Sequence, residues 1–133
     1  MIVGVGTDIV DIARFKDIKP TFVNRVFTTA EQEYMYKKST QTIAGLFAAK
    51  EAVAKAIGTG FAGFGPRDIE IGHTALGQPQ IKLHGNAKQE LKHALAKRCA
   101  GCKGGKMQVS INISISHTAT VAMAFVVVEV WPI

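Results

Sequence analysis

Two cysteines among 133 residues, Cys99 and Cys102, are too few for a disulfide framework and fit a reducing compartment. Long apolar runs are missing too. The longest, Val121 to Val128, falls well below the roughly 18 to 20 residues that span a bilayer. No cationic segment precedes the first apolar stretch, which Asp8 interrupts, so a secretory signal is not expected. These absences point to a cytoplasmic chain with no membrane partner. Acids are scarce in the second half: between Glu70 and Glu129 only Glu90 stands against Lys82, Lys88, Lys92, Lys97, Arg98, Lys103 and Lys106. With no internal repeat, low-complexity stretch or linker, the chain reads as a single unit over residues 1–133.

What is present suits a folded domain. Hydrophobic residues make up 47% of the chain and charged ones 20%, which excludes disorder. The formal charge is +6, from 16 Lys and Arg against 10 Asp and Glu. A second basic group, Arg14, Lys16, Lys19 and Arg25, lies near the start. Such patches suit an anionic partner, whether nucleic acid, phosphorylated small molecule or acidic protein, or they serve solubility alone.

Patterning gives the order strand, helices, two strands, helix, two-strand hairpin, an α+β arrangement. Ile2 to Val10 reads as a strand with Gly4, Gly6 and Asp8 on one face. Asp11 starts a helix to about Lys19, ended by Pro20, and Thr28 or Thr29 caps a helix to about Lys38, with Glu31 and Glu33 in its first turn. Gln41 to Ile57 is the most periodic segment, with Gly58 placed to terminate it. Asp68 to Gly72 and Gln80 to His84 read as strands joined through Gly77 and Pro79. Asn86 caps a helix to about Arg98, and Met107 to Ser116 pairs with Val121 to Val130.

Charge breaks the pattern in two places. On the Gln41–Ile57 helix, Lys50 falls near the middle of the apolar stripe, Glu51 on its edge and Lys55 next to Glu51 at i+4. Either Glu51 and Lys55 form a surface pair while Lys50 snorkels to water, or all three line a cleft. Asp8 is the second break, in an otherwise apolar and glycine-rich strand. Two carboxylates with lysines close by would suit Mg²⁺, a hard cation that bridges to phosphate oxygens, although Asp8 also fits an ordinary strand-end turn. His117 ends a strand in the parity of Ile111, Ile113 and Ile115, and its default reading is a core or turn histidine. Ser116 and His117 are not a nucleophile pair, because adjacent strand residues point to opposite faces.

Two motif matches mislead. Gly58, Gly60 and Gly63 spell GxGxxG, but they follow a helix and precede a strand, the reverse of a dinucleotide-binding turn. Cys99 and Cys102 form one CxxC at a helix end; a zinc site would need His84 or His93 to complete it, and free loop thiols are expected instead.

Five blocks in order, GVGTDIVDIARF, RVFTTAE, LFAAKEAVAKAIGTG, GQPQIKL and SISHT, resemble the holo-acyl-carrier-protein synthases, the small 4'-phosphopantetheinyl transferases. The combination of Asp8 with FAAKEAVAK is the most specific part. The resemblance implies transfer of the phosphopantetheine arm from coenzyme A to a serine of an apo acyl carrier protein, releasing adenosine 3',5'-bisphosphate. It implies Asp8 and Glu51 as ligands of Mg²⁺, and Lys55 as a phosphate contact beside them. Lys50, the loop carrying Gly58 and Gly60, and His117 would help to build the coenzyme site, in a cleft between subunits of a homotrimer. Arg14 would meet the acidic carrier protein, with Lys19 and Arg25 extending that surface. The serine proton would pass to a carboxylate or a water near Asp8 and Glu51. The Cys99–Lys106 loop matches no family motif, and Val121 stands where an aromatic is common.

A competing reading is a small basic RNA-binding α+β module, favoured by the seven basic residues around the Asn86 helix. Against it, Met107 to Ser116 has no Phe, Tyr or Trp to stack on bases.

Overall fold

Alanine and glycine decide how this chain packs. The structure, a computed structural model, describes residues 1–102 and 105–133; Lys103, Gly104 and the side chain of Cys102 lie outside the described residues. Strand β1 (Ile2–Asp11) leads through a 3-10 turn (Ile12–Phe15) to helices α1 (Pro20–Val26), α2 (Thr29–Met35) and α3 (Thr40–Ile57). A 3-10 turn (Pro66–Asp68) then opens the hairpin β2 (Ile69–His73) and β3 (Pro79–Leu83), followed by α4 (Gly85–Arg98), β4 (Met107–His117) and β5 (Val121–Pro132). The expected α+β order holds. The long strands form an antiparallel sheet in the order β1-β5-β4, with Asp8 opposite Ala124 and Ala124 opposite Ile115.

Helix α3 lies across one face of that sheet. Its alanines favour helix, and Ala44, Ala48, Ala49, Ala52 and Ala56 are all buried. A Cβ at Gly6 would collide with the Ala52 carbonyl oxygen, and one at Gly4 with that of Ala56, so β1 and α3 meet backbone to backbone. Gly45, near the start of α3, lies instead against Ile115 of β4. The helix therefore crosses the sheet diagonally, from β4 at its start to β1 at its end. Gly58 ends it in the left-handed conformation at φ 97°, as expected of a helix-terminating glycine. The opposite sheet face is bare, exposing Val5, Ile9, Met123 and Phe125.

Local chemistry differs from expectation in three places. Pro20 starts α1 at its first position instead of ending a helix, and Asp11 to Phe15 finishes the strand and makes one tight turn. Proline lacks an N–H, which the first helical position does not need. Helix α4 begins at Gly85 with His84 at its cap, so Asn86 lies inside the first turn. Cys99 is buried and disulfide-bonded, which corrects the expectation of a free thiol there. Among the described residues no helix is long and apolar enough to cross a membrane.

Candidate active site

Lysines 50 and 55 sit five residues apart on α3 and meet opposite circumstances. Lys50 is fully buried, and its Nζ lies 2.7 Å from Glu31 Oε1, 2.9 Å from the Pro66 carbonyl oxygen, and against the carbonyl oxygen of Ile69. Glu31 in turn accepts from the backbone N–H of Thr28 at 2.8 Å and of Ile71 at 2.9 Å, while Thr28 Oγ1 accepts from the Glu31 N–H. This is a capping box at the start of α2 whose acid also reaches α3 and β2. Burial pushes the Lys50 ammonium below its ordinary value, and the Glu31 carboxylate opposes that fall. All three N–H donors of Lys50 are engaged inside the protein. It neither snorkels nor lines a cleft, and the expected contact with coenzyme is corrected.

Lys55 Nζ instead lies in the open, 3.0 Å from Asp8 Oδ1 and 3.0 Å from the Thr7 carbonyl oxygen. Asp8 occupies the position on β1 that follows the two glycines, where the close approach of α3 brings it to this helix. Its side chain is 15% exposed, and its other oxygen, Oδ2, is buried without a hydrogen-bond partner among the described residues. Such an atom is costly to leave unmatched and marks a place for a donor or a cation. Glu51 belongs to the same group: desolvation raises its pKa above the ordinary carboxylate value and the Asp8 charge raises it further, while Lys55 and Arg14 pull it back. Glu51 thus feels the charges of Asp8, Lys55 and Arg14. Two carboxylates that repel each other, one with an orphaned oxygen, fit a hard divalent cation.

Arg14 also opens a second feature. Together with Lys19 and Arg25 it lines a groove of about 270 Å³ whose apolar walls include Phe15, Ile18 and Phe22. The Arg14 guanidinium stands 5.5 Å from the Phe47 ring centroid and that of Arg25 5.7 Å from the Phe22 centroid. The cations therefore lie along ring faces instead of projecting singly into water. The three residues expected to face a carrier protein share this groove.

His117 does not meet the carboxylates. It lines a groove of about 340 Å³ beside the first half of α3, with Tyr34, Gln41, Gly45, His73 and Pro79, and none of Asp8, Glu51 and Lys55 is among the lining residues. It also borders a largely apolar hollow with Ile9, Val121 and Met123 on the bare side of the sheet. Gly58 has a structural occupation: the Arg98 guanidinium fills the space beside it and donates to the carbonyl oxygens of Ala56 at 3.0 Å and Val3 at 3.1 Å. One member of the large basic cluster is thereby committed to holding the end of α3. Gly60 stands open in the loop beyond, with φ 59° and, among the described residues, open space where a Cβ would lie.

Sequence reasoning missed the apolar floor of the Arg14 groove and the stacked pair Tyr34–His73, with ring centroids 4.0 Å apart, on the wall of the His117 groove. The aromatic residues interleaved with Arg14 and Arg25 were the signal for the first. Nothing local signals the second, since 39 positions separate its members.

This fold and site define a class. The model of the 4'-phosphopantetheinyl transferase superfamily matches residues 4–111. The holo-[acyl-carrier-protein] synthase of Clostridium novyi is 45% identical over 98% of this chain and 89% of its own length. The Helicobacter pylori holo-[acyl-carrier-protein] synthase, solved in complex with coenzyme A, superposes with a TM-score of 0.74 at 33% identity, covering 94% of this chain and 99% of that one. The Bacillus anthracis enzyme, solved in complex with CoA (3',5'-ADP), gives 0.73 at 30% identity, with 97% of each chain covered. The chain belongs to the 4'-phosphopantetheinyl transferase superfamily, among its holo-[acyl-carrier-protein] synthases.

Proposed function

We propose that this chain transfers the 4'-phosphopantetheine arm of coenzyme A to a serine of an apo acyl carrier protein and releases adenosine 3',5'-bisphosphate. The observation that carries the reading is Asp8, with one oxygen paired to Lys55 and the other buried and unmatched beside Glu51. In the transfer, the serine oxygen bonds to the phosphorus bearing the pantetheine arm. The P–O bond to the nucleotide breaks, and the bisphosphate leaves with the electron pair. The serine proton goes to a carboxylate or water beside Asp8 and Glu51.

Asp8 and Glu51 would hold Mg²⁺, and the remaining ligands would come from substrate and water, because no group of three or more metal-binding side chains occurs among the described residues. When bound, this ion supplies charge neutralisation on the pyrophosphate. Lys55 contributes a mobile cation that exchanges its contact with Asp8 for a phosphate oxygen. The Arg14, Lys19 and Arg25 groove receives the acidic carrier protein: its cations meet carboxylates and its phenylalanines meet an apolar side chain. Arg14 links that groove to Glu51 electrostatically, so the serine arrives beside the carboxylates.

His117 and the open loop at Gly60 belong to the coenzyme site in this reading. The placing of His117 in a groove lined by none of Asp8, Glu51 and Lys55 supports a homotrimer in which neighbouring subunits join two partial sites. The bare sheet face with Val5, Ile9, Met123 and Phe125 supports self-association as well.

Incubating the chain with apo carrier protein, coenzyme A and Mg²⁺ should give a carrier heavier by one phosphopantetheine in intact-mass spectrometry. No mass gain on any of a panel of carrier proteins would overturn the reading. The same panel would separate carriers of fatty acid synthesis from those of secondary metabolism.

A further inference from the structure

Helix α1 is only seven residues long, and a helix of that length has no stability of its own in water. It nevertheless carries part of the carrier groove: Thr21, Phe22 and Arg25 project from it and Lys19 precedes it. Phe22 packs against Phe15, Phe27 and Phe47, and Val26 is buried. These apolar contacts are non-directional and tolerate sliding. Directional contacts hold its end: Gln32 Nε2 of α2 donates to the carbonyl oxygen of Phe27, the cap residue, at 3.0 Å, and within the helix itself Arg67 Nη1 donates to the carbonyl oxygen of Asn24 at 2.6 Å. That carbonyl lies in the last turn of α1, where such oxygens have no partner within the helix and the dipole favours a cation.

The turn that carries Arg67 is itself rigidly held. The buried Lys50 ammonium binds the Pro66 carbonyl oxygen, Gly65 N–H donates to Asp68 Oδ2 at 3.2 Å, and His84 N–H donates to the Asp68 carbonyl oxygen at 2.7 Å. A continuous polar path thus runs from Lys50, next in sequence to Glu51, through Pro66 and Arg67 to the end of α1. Arg67 is exposed and lines neither the carrier groove nor the carboxylate site.

The geometry points to Arg67 as a positioning residue for carrier binding: it ties α1 to the frame of α3 and so sets where the Lys19–Arg25 side of the groove stands relative to Asp8 and Glu51. It acts through α1 and touches no substrate. This rests on the carrier-protein reading of the groove.

The test compares wild type with Arg67→Met, which keeps an aliphatic stem, and Arg67→Lys, which keeps a donor. Hydrogen exchange followed by mass spectrometry, on protein without substrates, should show the amides of residues 20–27 exchanging about three- to tenfold faster in Arg67→Met and those of α3 unchanged, the scale of one lost hydrogen bond. Steady-state kinetics should show KM for the apo carrier protein raised by a similar factor, with KM for coenzyme A and kcat unchanged. Arg67→Lys should recover part of both effects. A carrier KM that rises with unchanged α1 exchange would make Arg67 a direct contact and overturn the positioning role. Unchanged exchange and unchanged KM, or faster exchange throughout the chain, would overturn it as well. If no carrier is modified even by wild type, the enzyme reading has failed, while the exchange data still decide whether Arg67 holds α1.

Discussion

Lys50 and Lys55 offer a controlled comparison: same helix, same residue type, each facing one carboxylate about 3 Å away. Around Lys50 the accounts close. Glu31 is matched by two backbone donors and Lys50 by two backbone acceptors, so the pair is a dry, complete joint between α2, α3 and β2. Around Lys55 they do not close: the lysine is half in water and Asp8 keeps an unmatched oxygen beside a second carboxylate. A complete polar network has nothing left with which to bind a substrate. An incomplete one does, and the chain tolerates its strain only at the second position.

The comparison breaks hardest at the closed pair. Glu31→Ala or Lys50→Ala alone should cost about 3–5 kcal/mol, because each leaves a buried charge unmatched, and a thermal melt should fall by ~10 °C or more. The double variant Glu31→Leu, Lys50→Met should recover most of that loss. If it does not, the pair matters through its hydrogen bonds to Thr28, Ile71 and Pro66 and not through its charges.

At the open pair the largest effect should be on rate. Asp8→Asn and Glu51→Gln should each lower kcat/KM by about 10²–10³-fold, or ~2.7–4 kcal/mol of barrier, with the melting temperature unchanged or raised. Millimolar Mg²⁺ should raise the melting temperature of wild type and fail to do so in either variant, a readout independent of catalysis. Loss of the Lys55 cation in Lys55→Met should reduce kcat/KM by about tenfold without altering that response.

The pH dependence sharpens the contrast more gently. Glu51 holds its proton above the unfolded value of 4.5, so its contribution to stability is present below that value and lost as pH rises through the raised one. A stability–pH profile of Glu51→Gln should lack this decline. The smallest effect belongs to His73, which burial against Tyr34 and the nearby Lys38 charge hold below the ordinary value of 6.5. Its contribution is present above 6.5 and lost as pH falls through the lowered value. His73→Phe should flatten the acid limb slightly.

The sequence displayed much of this, and the gaps have physical causes. The α3 helix and its glycine stop, a threonine cap at Thr28 or Thr29 and the β4–β5 hairpin were legible because each is written in residues close along the chain. Asp8 and Glu51 were legible as anomalies, and the family motifs paired them. The partner of Lys50 was not legible, because Glu31 lies 19 positions away and reads locally as a helix-dipole residue. A charge in mid-stripe admits three readings, water, a cleft or an internal partner, and only packing selects the third. Pro20 misled because it can stand before or inside a helix boundary, and α1 is too short to show periodicity of its own.

Asp8 and Glu51 belong to separate elements, and their spacing is set by the seam where Gly4 and Gly6 meet the carbonyl oxygens of Ala56 and Ala52. The gauge of this carboxylate pair is therefore made of missing methyl groups. A side chain added at Gly4 or Gly6 would thus shift Asp8 relative to Glu51 without changing either carboxylate.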